Sequence, residues 1–147
     1  MKKFRFPLES VRALRRRAWE RAEETLLRIM AEERQLARRR KELAGETLAE
    51  CQRTLEKPEL EAAELVQLER LRDWAAAEDR RLERRQQEAR RRAAEQRARV
   101  VEARRQYEVL ESLRERQYEA WVKETNREEE KAVAEMVAAR WKEPDAE

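Results

Sequence analysis

The sequence predicts an all-α protein in which two long helices form an antiparallel coiled-coil hairpin, the second helix longer than the first and overhanging it. Three observations carry that prediction. Charged residues make up 47% of the 147 residues, well above the share in an ordinary globular domain. One Gly and three Pro leave few places for the chain to reverse, so a multi-layer fold is excluded. The rest is dominated by Ala, Glu, Leu and Arg, strong helix formers, with apolar residues recurring about every 3.5 positions.

The opening segment, MKKFRFP, alternates basic with aromatic or apolar residues and ends in Pro7, which suits the first turn of a helix because its missing N–H would have no partner there. Helix one is expected over about 8–56. Leu8, Ala22, Ile29, Leu36 and Leu43 stand on one seven-residue repeat that only Arg15 interrupts, with Val11, Ala18 and Leu26 beside them. Gly45 weakens the late part of this helix by about 1 kcal/mol relative to Ala. Leu48, Cys51 and Leu55 then carry the stripe onward in a shifted phase, as a stutter does.

Pro58, in LEKPELE, disfavours helix at Lys57, so the turn is expected at about 57–59, with helix two running over about 59–142 and beginning as early as Pro58. Its stripe is Leu65, Leu68, Leu71, Ala75, Leu82, Gln86, Ala89, Ala93, Gln96, Val100, Ala103, Tyr107 and Leu110. The same stripe continues through Leu113, Trp121, Val133, Met136, Val137 and Trp141, and Pro144 is expected to stop the helix. Ala and Gln in the middle, where a strong coiled coil places Leu or Ile, predict close but weakly adhesive packing.

At 1.5 Å per residue, Leu8–Leu55 spans roughly 70 Å and Glu59–Trp141 roughly 125 Å. A reversal at Lys57–Pro58 pairs residues whose numbers sum to about 115. Leu36 is then expected near Asp79, Ala22 at Ala93 and Leu8 at Tyr107. Everything beyond about Leu110 overhangs, yet keeps Leu113, Trp121, Val122, Val133, Met136, Val137 and Trp141. An apolar stripe with nothing of its own to bury against points to another molecule.

No catalytic chemistry is legible, and the chain reads as a non-enzyme without cofactor. Histidine is absent, and the lone Cys51 has no base to activate it and no disulfide partner. Glu128, Glu129 and Glu130 point in different directions on a helix and make a poor metal site. One glycine cannot build a phosphate loop. No apolar run is long enough for a signal peptide or a membrane span, so a cytoplasmic protein is expected. MKKFRF is too short to anchor strongly on anionic lipid.

The net charge of +3 hides a pattern in which residues 1–21 and 78–106 are basic while 22–77 and 107–147 are acidic. The arginine-rich stretch 80–105 has no aromatic residue between Trp74 and Tyr107 to stack bases, and Glu83, Glu88, Glu95 and Glu102 interleave with its arginines. Pairs at i, i+3 and i, i+4 contribute about 0.2–0.5 kcal/mol each and keep an exposed helix stiff. A solvated face is expected there, and no nucleic-acid binding.

FRFPLESVRALRRR resembles the amino terminus of FliJ proteins of the bacterial flagellar export apparatus, and LRERQYEAW with the later AARWKEP is similar to their carboxy terminus. The resemblance spans the chain and extends to the related YscO-type stalk proteins of virulence secretion systems. It implies a stalk that inserts into the hexameric export ATPase (FliI-like), promotes its assembly and activity, and contacts the cytoplasmic domain of the export gate (FlhA-like). A chaperone-escort role with export chaperones, and peripheral association with the inner membrane, are implied as well. Carried onto this chain, ring contact falls to Phe4, Phe6, Leu113, Trp121, Met136 and Trp141. Gate contact falls to Leu71, Trp74, Ala75 and Leu82. The alternatives from the residues alone are a structural coiled-coil spacer and a homodimerising protein.

Overall fold

The computed structural model describes residues 2–142, and within them the chain forms two helices, α1 (Glu9–Leu55) and α2 (Ala62–Lys142), with no strand. The expected stop at Pro144 lies outside the described residues. Two compact units form. One is Glu20–Glu102; the other combines the chain up to Trp19 with the chain from Ala103 onward.

The Glu20–Glu102 unit is the hairpin. Helix α1 ends at Leu55, as Pro58 dictates by keeping Lys57 out of helical backbone. Helix α2 starts at Ala62 rather than at Pro58 or Glu59, with the Glu61 carbonyl accepting the N–H groups of Glu64 and Leu65. The reversal is therefore wider than the expected turn over 57–59. The physical reason is backbone conformation. A tight turn between helices uses a residue with positive φ, which glycine supplies, and no described residue of this chain adopts one. Ordinary backbone has to turn over more residues.

That wider link displaces the pairing by about one helical turn. The Ala22 carbonyl accepts a hydrogen bond from Gln96 Nε2 at 3.0 Å, where Ala93 was expected opposite Ala22. Arg40, rather than Leu36, is the residue that grips Asp79. Leu36, Leu43, Ala75, Leu82 and Ala89 form one buried cluster. Burying a Leu side chain fully contributes about 1.5–3 kcal/mol. The thin middle of the α2 stripe packs closely, as its small residues predict, and Ala89 and Ala93 are both buried.

Gln86 and Gln96 are buried polar residues within this seam, and both are satisfied. Arg40 donates from Nε and Nη2 to the two Asp79 carboxylate oxygens at 2.8 and 3.1 Å, and from Nη1 to Gln86 Oε1 at 2.9 Å. Gln86 Nε2 donates in turn to Glu33 Oε1 at 2.9 Å, which also receives Arg90 Nε at 3.1 Å. These hydrogen bonds hold the Asp79 carboxyl below its ordinary range through Arg40, and the Glu33 carboxyl below its own chiefly through Gln86. A five-residue chain of donors and acceptors crosses from α1 to α2, and a register slip would leave Gln86 buried without partners.

In the other unit, α1 opens with the Leu8 carbonyl accepting the Arg12 N–H, one turn after Pro7. Arg12 donates to Glu111 and to the Tyr107 hydroxyl. The Glu111 hydrogen bond raises the Arg12 pKa, and the same bond is the main cause that lowers that of Glu111. Trp19 stacks on Tyr107 with centroids 5.6 Å apart, and the Arg104 guanidinium lies over the Trp19 ring.

Candidate protein-interaction surfaces

The segment before α1 is not helical. It continues along α2 at the spacing set by the Arg12–Glu111 and Glu9–Arg114 pairs, and Phe4 meets Tyr118, edge to face at 5.3 Å between centroids, and Trp121 at 6.0 Å. Tyr118 stacks against Trp121 at 5.9 Å, and Arg114 lies over the Phe4 ring. Phe6 is buried, and Lys2 shares a surface hollow with Trp121, Glu124, Thr125, Glu128, Glu129 and Ala132. Aromatic pairs of this kind add about 0.5–1.5 kcal/mol beyond the area they bury.

The expectation that α2 lacks intrachain partners beyond Leu110 is thereby corrected. Glu111, Arg114, Tyr118 and Trp121 all meet the chain's own first residues, and the uncovered part begins after Thr125. Every described residue from Asn126 to Lys142 is exposed. Val133, Met136, Val137 and Trp141 form the apolar stripe of this stretch, Met136 at 69% and Trp141 at 86% exposure.

The six residues carried over for ring contact therefore divide. Phe4 and Trp121 pack on each other, Phe6 is buried, and Leu113 is half-buried. Met136 and Trp141 are open to a partner. Tyr118 completes the aromatic cluster and was not singled out from the sequence, although its spacing of three from Trp121 puts the two on neighbouring helical positions.

The gate-contact set divides in the same way. Ala75 and Leu82 are buried in the hairpin seam and present no surface, because they face Leu36 and Leu43. Leu71 is half-buried, and Trp74, at 54% exposure, is the open member. Beside the seam lies a groove of about 480 Å³, lined by Leu43, Leu48, Cys51, Leu55, Leu68 and Ala75 among others. Its signal in the sequence was the shifted phase of Leu48, Cys51 and Leu55, which turns those side chains to the edge of the seam.

No protein-family model, curated protein or solved structure matches this chain. No described helix is long and apolar enough to cross a membrane.

Proposed function

We propose that this chain is a non-enzymatic coiled-coil stalk of a bacterial flagellar protein export apparatus. It binds a hexameric FliI-like export ATPase, promotes its assembly and activity, and links it to the cytoplasmic domain of an FlhA-like gate, with an escort role toward export chaperones. Its place would be cytoplasmic, peripheral to the inner membrane at that apparatus.

The observation that carries the reading is the exposed apolar stripe of Val133, Met136, Val137 and Trp141 at the end of a long helix. Large exposed apolar side chains in a row mark a protein-binding surface, and Trp is a frequent energetic anchor of such surfaces. The two-helix hairpin and the amino- and carboxy-terminal resemblance to FliJ proteins support the same reading. A single asymmetric stalk in a ring of like subunits touches them unequally, and unequal contact is what biases their nucleotide states. At the hairpin end, Trp74 and the neighbouring groove offer the surface for the gate.

The test is ATP hydrolysis by the cognate export ATPase, measured with and without this protein at submicromolar concentration. Stimulation is expected, with a loss of about thirtyfold in apparent affinity for Trp141→Ala, the value for a hot spot of about 2 kcal/mol. Absence of stimulation by the wild-type chain refutes the proposal.

A further inference from the structure

The open stretch of α2 carries a second pattern besides its apolar stripe. Asn126, Glu129, Val133, Met136 and Arg140 follow one another at spacings of three and four, the repeat of a coiled-coil seam. A shallow depression lined by Asn126, Glu129, Glu130, Val133 and Ala134 lies on the same face. The seam is acidic at its start and basic at its end, with the apolar pair between. Neither Glu129 nor Arg140 has an ion-pair partner among the described residues, and both are exposed.

We propose that this stretch pairs with the same stretch of a second copy, antiparallel, about a two-fold axis between Ala134 and Glu135. Two-fold pairing brings a surface against itself, so a surface suits it only when its own two halves are complementary. Here they are. Glu129 lies opposite Arg140 of the second copy, and Arg140 opposite its Glu129. Val133 and Met136 form the apolar layers between these two ion pairs. Val137, on the flank of the seam, widens the covered surface. Parallel pairing sets Glu129 against Glu129 and Arg140 against Arg140 inside the seam, and like charges there select against it.

The paired stretch, residues 127–142, is only about 24 Å long. Its interface falls in the small class of weak, reversible contacts, so the dimer forms at high protein concentration and weakens with added salt. The inference concerns the chain alone and does not rest on the export reading. A second copy seated here covers Val133, Met136 and Val137 of the stripe that the export reading gives to the ATPase, so the two occupants compete.

The experiment is light scattering of the purified full chain from low-micromolar to millimolar concentration, with circular dichroism to verify that each variant is helical. The wild-type mass should climb from 17.8 kDa toward twice that value. Glu129→Arg and Arg140→Glu should each remain at the monomer mass, because each sets like charges against one another. The doubly exchanged chain restores opposite charges only in the antiparallel arrangement and should associate again. A wild-type chain that stays monomeric throughout overturns the proposal and leaves the stripe to a partner of different sequence. Single variants that associate like wild type, or a double exchange that stays monomeric, overturn it equally.

Discussion

Leu82→Ala tests whether the hairpin seam is what holds the Glu20–Glu102 unit together. Leu82 is 4% exposed and belongs to the cluster with Leu36, Leu43, Ala75 and Ala89. Truncation removes three carbon atoms from contact, about 2.4 kcal/mol at 0.8 kcal/mol per methylene-sized group. In an enclosed core a cavity term would raise the cost toward 5 kcal/mol. A seam between two helices is open along both edges, so water or the neighbouring side chains relax into the gap and the cavity term stays small. The expected loss is therefore about 2–3 kcal/mol, near the lower end of the range for such truncations. Leu27→Ala is the matched control: the same atoms are removed from a side chain 61% exposed, and the expected change is within about 0.5 kcal/mol. Circular dichroism at 222 nm during thermal unfolding reads the difference. At about 2–4 °C per kcal/mol for a chain of this size, Leu82→Ala should unfold some 5–10 °C below Leu27→Ala. Equal melting temperatures for the two variants would refute the assignment of the seam as the source of stability.

Two further outcomes are expected. Gly45→Ala should stabilise α1 by about 1 kcal/mol, because Gly45 lies inside the helix without positive φ and an added methyl group would meet nothing within 4 Å; denaturant midpoints check this. Acid should loosen both units, because the Glu33, Asp79 and Glu111 carboxyls all titrate lower when folded than when unfolded. Their contribution is present above the ordinary carboxylate range and disappears as pH falls through the depressed folded values. Each of these partly exposed pairs contributes less than about 1 kcal/mol, so the melting temperature should decline gradually below about pH 4.5 rather than collapse at one pH. Replacing Glu111 with Gln should remove its share of that decline.

The two helices, their stop at Pro58 and the burial of Ile29, Leu36 and Leu43 were legible in the amino-acid sequence because they depend on local properties. Helix propensity, the seven-residue apolar repeat and the steric effect of a proline on the residue before it act over a few positions and need no knowledge of what lies opposite. The close packing of the Ala and Gln stretch was legible for the same reason. The identities of pairs across the seam were not. They depend on where the chain reverses, and without a glycine at the turn the reversal widened, carrying Gln96 to Ala22 and Arg40 to Asp79. The sharing out of the candidate site was likewise a tertiary outcome. MKKFRFP shows its aromatics in the sequence, but only the packing of that non-helical segment against α2 brings Phe4 to Tyr118 and Trp121 and leaves α2 exposed from Asn126 onward. A repeat states which face of a helix is apolar; what covers that face depends on where the chain reverses and on how far the segment before α1 continues along α2.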